Sequence, residues 1–309
     1  MDKKLFFPLF VLVMLVSGCS GSSIDYDPNA GAVLRDAAFD LPKVYDDDET
    51  ALMFDVVNVG GKSLSNVDVY VYGPTMGTGT EVWNPNSTGG LTLNSGGYLS
   101  GSITGVNLPP PDPSIGTPGG SRSFEIVFDP ANVLDGVEIP TTFYIGLCFP
   151  YSTSTITQVE VTSKNEIRAT GVRGSRTDTI NAAGPIHLNV QGEGNIRAGG
   201  IVPLVFKVNN VGGGFPTLAT CGVDIATTNR NEVSINVTVD GLTTGIDCNS
   251  AGPSGNVKIR NDVGTFFCTY TPTTTSTAPR RTYSVKATAT YNYYLTKPLT
   301  VTNIGSSLS

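Results

Sequence analysis

Phe54-Asp-Val-Val-Asn-Val-Gly-Gly61 returns later in the chain as Phe206-Lys-Val-Asn-Asn-Val-Gly-Gly213, differing only at Asp55/Lys207 and Val57/Asn209. A run of that length kept in order marks one structural unit used twice. Leu52, Phe54 and Val56 fall on one side of an extended strand, as do Leu204, Phe206 and Val208. Phe54 and Phe206 are therefore expected in a core. Asn58 and Asn210 then stand at strand ends, where an amide can bond the backbone of the turns opened by Gly60-Gly61 and Gly212-Gly213.

The same alternation extends outward from the repeat. In Val67-Asp-Val-Tyr-Val71, Phe124-Glu-Ile-Val-Phe128, Val233-Ser-Ile-Asn-Val-Thr-Val239 and Val285-Lys-Ala-Thr-Ala-Thr-Tyr-Asn-Tyr293, every second residue faces one way, the pattern of a strand buried on one side. Beyond the N-terminal leader no stretch carries a sustained helical period. Charged residues are only 15% of the chain, which leaves little material for surface helices stabilised by ion pairs. These features predict an all-β chain: two immunoglobulin-like antiparallel β-sandwich domains in tandem. The strand-Asn-Val-Gly-Gly pattern resembles the CARDB-like branch of immunoglobulin-type domains over about 40–62 and 192–214. That resemblance implies an accessory or adhesive module without an active site of its own. The expected boundaries are 32–162 for the first domain, 163–182 for a linker and 183–304 for the second.

Residues 1–18 read as a signal peptide: Lys3 and Lys4 precede an apolar run from Leu5 to Val16, too short for a typical bilayer span. Val16-Ser17-Gly18-Cys19 resembles the prokaryotic lipobox, which implies lipidation of Cys19 and an extracytoplasmic protein tethered to a membrane. Residues 19–31 are expected to be a flexible tether. Asp25, Asp27, Asn29 and Gly31 alternate as calcium ligands do, but without the Gly and Glu positions of an EF-hand, so a solvated linker is the reading kept.

With 19 Lys and Arg against 26 Asp and Glu, the net charge is −7, which argues against nucleic acid as a partner. The one cationic cluster, Lys164, Arg168, Arg173 and Arg176, falls in the expected linker and is read as solvated; docking to an acidic partner or headgroups is the sharper alternative. Besides Cys19 there are Cys148, Cys221, Cys248 and Cys268. A Cys248–Cys268 disulfide is expected, because Gly264 turns the chain back beside the strand at Lys258-Ile259. Cys148 and Cys221 are ranked as buried thiols first, with a bridge between domains or another pairing left open.

The Gly73–Ser123 stretch is long for a sandwich connection and is a candidate ligand loop, in which Trp83 and Tyr98 form an aromatic platform for a sugar or peptide. The plainer alternative is a loop anchored by its own aromatics. Asn86-Ser-Thr88 and Asn236-Val-Thr238 are glycosylation sequons, with Asn236 on the polar face of its strand. His187 is the only histidine and reads as a strand-face residue; no nucleophile elbow, zinc motif or phosphate loop is present, and nothing calls for a cofactor. Asp46-Asp-Asp-Glu49 is expected to be a hydrated turn. The function that follows is a non-catalytic binding or adhesion module at the cell surface, with a surface protein or carbohydrate as partner and aromatics exposed on loops at one end. A structural spacer or self-assembling envelope subunit is the alternative. A carboxylate-based hydrolase ranks third and would need two converging acids about 5–10 Å apart.

Overall fold

A computed structural model describes residues 26–104, 107–191, 201–223, 225–248, 252–271 and 280–306. Nearly every element is a strand: β1 (Ala32–Phe39), β2 (Lys43–Tyr45), β3 (Thr50–Asn58), β4 (Val67–Tyr72), β5 (Asn84–Ser87), β6 (Thr92–Asn94), β7 (Tyr98–Ile103), β8 (Ser121–Asp129), β9 (Glu138–Thr162), β10 (Ile180–Asn181), β11 (Ile186–Gln191), β12 (Val202–Asn210), β13 (Phe215–Thr217), β14 (Glu232–Val239), β15 (Ile246–Cys248), β16 (Ser254–Lys258), β17 (Val263–Tyr270) and β18 (Arg280–Ile304). Among the described residues one α-helix, α1 (Lys164–Thr170), is capped by the Ser163 side chain and closed by Gly171 in the left-handed region. The signal peptide and Cys19 lie outside the described residues.

Three sheets result. Two have four strands, in the orders β1-β3-β8-β5 and β11-β12-β17-β15, and the third runs β16-β14-β18-β9-β4-β7-β6, with β10, β13 and β2 paired at its sides. The large sheet is built on β9 and β18, each 25 residues long and paired without a register shift from Glu138↔Ile304 to Thr162↔Arg280. At about 3.4 Å per residue each strand runs roughly 85 Å. The start of β9 carries β4 on 144–148, and the start of β18 carries β14 on 285–290. Each strand then leaves its own half and finishes in the other.

The inward residues show which small sheet covers which end. Phe143 of β9 meets Phe39, Phe128 and Trp83 of the first half. Tyr283 of β18 meets Tyr270 of the second. The buried residues of all three sheets join one continuous core. The expected boundaries at 162 and 183 therefore do not separate the sheets: the end of β9 serves the second half, and residues 291–304 of β18 serve the first. A strand that alternates for 25 residues gives no local sign of where its partner changes. On the flank of β9 away from β18, the partners change between Cys148 and Thr155, across Pro150, which has no N–H to give a neighbour there.

The repeated octapeptide performs the same task twice. Asn58 Nδ2 donates to Lys62 O (2.8 Å) and Asn210 Nδ2 to Gly214 O (2.9 Å). The amides of Val59 and Gly60 donate to Gly31 O, and those of Val211 and Gly212 to Pro185 O. A Cβ on Gly60 would sit 2.4 Å from Ala30 O, and one on Gly212 2.7 Å from Pro185 Cβ, so glycine is required by close approach. Phe54 stacks on Phe124 (5.0 Å), and Phe206 lies 6.3 Å from Phe266, with both Phe54 and Phe206 buried. Phe54→Ala and Phe206→Ala are each expected to cost about 3–5 kcal/mol, measured by urea unfolding. Because the core is shared, either change should shift one common transition.

Two segments expected to be loose are fixed. Residues 26–31, the end of the expected tether, sit at the waist: Asp27 N donates to Val59 O, Gly184 N donates to Pro28 O, and Gly31 lies against the Phe149 and Tyr151 rings. Residues 163–182, the expected linker, contain α1 and then run along β9, with Glu160 N bonded to Ser175 O, Thr177 N to Gln158 O and Ala182 N to Ser154 O. Within it Arg176 donates to Gln191 O, while Arg280, from β18, pairs with Glu166 at 3.4 Å. Of the cationic cluster, Arg176 is thus absorbed by structure. Among the described residues no helix is long and apolar enough to cross a membrane.

Candidate functional site

Alternation along the central strands places an aromatic patch on the outer face of the large sheet, away from the two small ones. Val67, Val69 and Val71 of β4 point inward, so Tyr70 and Tyr72 point outward. On β9, Ile145, Leu147 and Phe149 are inward, leaving Tyr144, Gly146 and Cys148 outward. Tyr294 of β18 lies opposite Cys148, and Phe215 of β13 opposite Tyr294. Tyr72 stacks on Tyr144 (5.4 Å) and Phe215 on Tyr294 (5.1 Å). A small second core forms there, with Cys148, Ile225, Tyr70 and Tyr294 buried.

The lid over this patch is the segment after β13. Cys221 is disulfide-bonded to Cys148, and Asn292 Nδ2 donates to Ala219 O (3.0 Å), so the segment is held down at two points. Cys148 and Cys221 are therefore a bridge between the two halves of the sequence, not the buried thiols ranked first. Long-range pairing of this kind leaves no spacing signal. Cys248 and Cys268 face each other across β15 and β17 and form the second disulfide, the pairing expected from the sequence.

Between the patch and the lid lies a cavity of about 290 Å³, walled by Tyr72, Tyr144 and Phe215, with Val223 and Ile225 from the lid. Arg230, Tyr294 and Thr296 complete it. Arg230 is the charged side chain among the described lining residues. Its guanidinium lies 5.0 Å from the Phe215 ring centre and its Nε donates to Ile225 O at 2.9 Å. That holds the side chain while leaving its two Nη nitrogens for a ligand.

Tyr294 is 3% exposed, and its buried hydroxyl makes no hydrogen bond of good geometry, although Tyr72 and Thr296 lie alongside as weak partners. Gly146 makes room for it: a Cβ there would be 2.5 Å from the Tyr294 oxygen. Burial, and then the neighbouring Tyr72, push the Tyr294 phenol's pKa up. Tyr70 is pushed up to about 12 by burial, with Asp68 and Tyr98 adding to it. Both phenols are neutral at physiological pH. An unpaired buried hydroxyl costs about 1–3 kcal/mol. Tyr294→Phe is thus expected to leave the protein as stable as before or more so by about 1 kcal/mol in urea unfolding; a clear loss would mean that the hydroxyl already has a partner in the unliganded protein.

The residues singled out in the sequence fall in different places. Trp83 is 3% exposed and sits in the first core, edge-on to Phe128 (6.2 Å) and Phe143 (5.0 Å), so it is no ligand platform. Its stretch is not an open loop: β5, β6 and β7 lie within it and carry it back onto the sheets. Tyr98, half-buried, flanks the outer aromatic patch. The aromatics gather on a sheet face and not on loops at one end. Asn86 Nδ2, the atom a glycan would take, donates to Glu49 (2.8 Å) and Asp129 (2.6 Å), whereas Asn236 is exposed on the outer face. Burial lowers the pKa of His187, on β11.

The acidic turn lines a second cleft of about 390 Å³ with Asn84, Asp129 and Asn132. Two of its carboxylates, Asp46 and Asp129, are occupied as structural acceptors. Asp46 accepts from Ser306 N (2.9 Å), Ser306 Oγ (2.6 Å) and Val133 N (3.0 Å), and these bonds hold its pKa below the usual value. Asp129 accepts from Asn84 and Asn86. Asp46 is thus a fastener for Ser306, while Asp47, Asp48 and Glu49 of the same turn are exposed. Among the described residues no three His, Cys, Asp or Glu side chains are grouped to hold a metal.

No protein-family model matches the sequence, and a search of the curated proteins finds no match. Among solved structures 71 chains match. A protein of unknown function from Porphyromonas gingivalis W83 is 9% identical over 79% of this chain and 84% of its own, with a TM-score of 0.20. The B domain of a biofilm-associated protein is 8% identical over 90% and 86%, at 0.22. A collagen adhesin of S. aureus is 10% identical over 92% and 96%, at 0.16. With TM-scores this low, none of them carries an argument about the present chain.

Proposed function

We propose that this chain is an extracytoplasmic, non-catalytic binding module of adhesion type, tethered to a membrane by lipid on Cys19, and that its binding surface is the outer-face cavity. The observation that carries the reading is the cavity itself: stacked aromatic rings and one oriented cation, under a segment fastened by a disulfide. Two disulfides fit an oxidising compartment. The tether enters at the waist against the inward rings of Phe149 and Tyr151, while the cavity lies on the opposite face of the same sheet. Asn236, exposed on that outer face, is the better placed of the two glycan acceptors.

The test is binding of the labelled full chain to intact cell envelopes. Saturable binding is expected, lost in Phe215→Ala and kept in Asn236→Gln, which changes the same face away from the cavity. Equal binding by both variants would remove the cavity from the reading, and an unmodified Cys19 in the detergent phase would remove the anchor. One feature favours the spacer alternative, the pair of strands running unbroken through both halves. Self-crosslinking alone on intact cells would favour that alternative.

A further inference from the structure

We propose that two copies of this chain join through the edge strand β16, antiparallel and in register about Asn256, so that the large sheet continues from one copy into the other. The proposal does not rest on the cavity. Bonds from Val237 N to Pro253 O and from Ile259 N to Asn231 O fix the parity of the β14–β16 ladder, so Gly255 and Val257 turn their backbone groups toward β14. Those of Ser254, Asn256 and Lys258 point the other way, and β16 is the last strand of its sheet. Among the described residues nothing bonds them. Residues 249–251 lie outside the described residues, but the Cys248 N to Gly252 O bond ties the chain together at their base, so they reach at most about 7 Å from it. Asn256, four residues beyond Gly252 along an extended chain, stands about 13 Å away.

The other strands that end a sheet or pair at its side are blunted. β2, β6, β10, β13 and β15 are two or three residues long. β1 breaks register at Asp36 (φ 48°), and β5 does so beside Pro85. β11 is covered: Leu188 N donates to Asn181 Oδ1, Val190 N to Thr179 Oγ1, and Arg176 to Gln191 O. The stretch of β18 between its β13 and β2 partners carries Lys297 and Pro298. β16 has one such device, Lys258, and its Nζ is turned back onto Thr228 O and Arg230 O.

The partner that fits is a second copy, because β16 complements itself. With Asn256 opposite Asn256, Ser254 stands opposite Lys258 and Gly255 opposite Val257. No like charges face each other, two amides meet on the outer face, and on the inner face each buried Val257 meets the space a glycine leaves. The two Lys258 positions stand about 13 Å apart along the seam, beyond the screening length of about 8 Å at physiological salt. Directly opposed residues share a face, so both outer faces, and with them both cavities, lie on one side.

The test uses the disulfide-intact full chain in detergent, in sedimentation velocity over rising concentration and in copper-phenanthroline oxidation of cysteine variants. The unsubstituted chain should sediment increasingly as a dimer. Asn256→Cys should oxidise to a covalent dimer by itself, its Cα atoms about 5.5 Å apart across the seam. Ser254→Cys and Lys258→Cys should each stay monomeric alone and dimerise when mixed. Asn256→Pro removes an N–H that the β14 ladder does not use, so it should abolish the dimer and leave urea stability unchanged. An unsubstituted chain that stays monomeric, crosslinking of Ser254→Cys alone as complete as that of Asn256→Cys, or a dimer that survives Asn256→Pro would overturn the proposal. Envelope binding that depends on Phe215 stands or falls separately.

Discussion

Ending the chain after Thr290 is expected to unfold the first half of the protein, although every residue removed lies at the far C-terminus. Residues 291–304 of β18 form the ladder partners of 138–151. They also supply the buried side chains of Tyr291, Tyr293 and Val301. Their loss strips β9 of its neighbour along the whole first sandwich, uncovers the Phe143 cluster and removes the Tyr293 hydroxyl that donates to Asn210 (2.9 Å). Trp83, the only tryptophan, reports on that core selectively, wedged between Phe128 and Phe143. The truncated chain should show the red-shifted, quencher-accessible emission of an exposed indole. A self-sufficient 32–162 domain would keep Trp83 buried, and unchanged emission would refute the shared sheet.

The second large effect is expected from Cys148→Ser combined with Cys221→Ser. This bridge spans a sequence separation of 73, against 20 for Cys248–Cys268. In the chain-entropy model the longer closure is worth about 4 kcal/mol and the shorter about 3 kcal/mol. The two differ more in what they hold. Cys248–Cys268 joins adjacent strands already paired, while Cys148–Cys221 fixes the lid that supplies Val223 and Ile225 to the cavity. The double substitution should lower urea stability by up to about 4 kcal/mol and abolish binding to cell envelopes even where the protein remains folded. Full binding after removal of the bridge would show that the lid forms no part of the site.

What the sequence disclosed was local, and what it concealed was long-range. Period-two alternation located the cores, and the Asn-Val-Gly-Gly repeat correctly placed an amide against the turn backbone, because both depend on neighbours a few residues away. Alternation is silent about partners, however, so β9 and β18 looked like ordinary last strands of two separate sandwiches. The cavity was hidden for the same reason: Tyr72, Tyr144, Phe215, Arg230 and Tyr294 come from five separate stretches and meet only through the register of the large sheet. Tyr70 and Tyr72 on the polar face of β4 were the available signal, since two large aromatics facing away from a core require a cover. Of the two readings of Trp83, the plainer one describes its place: it is the side chain that fastens that stretch to the core, against Phe128 and Phe143.

The claim on which the rest depends is that the two halves are one cooperative body, joined by strands each gives to the other. Scanning calorimetry of the full chain, both disulfides intact and with Trp83 fluorescence followed in parallel, tests it most directly. The structure predicts a single endotherm whose van't Hoff and calorimetric enthalpies agree, with a ratio of about 1, coincident with the fluorescence change. Two resolved endotherms, with Trp83 reporting only one of them, would contradict it.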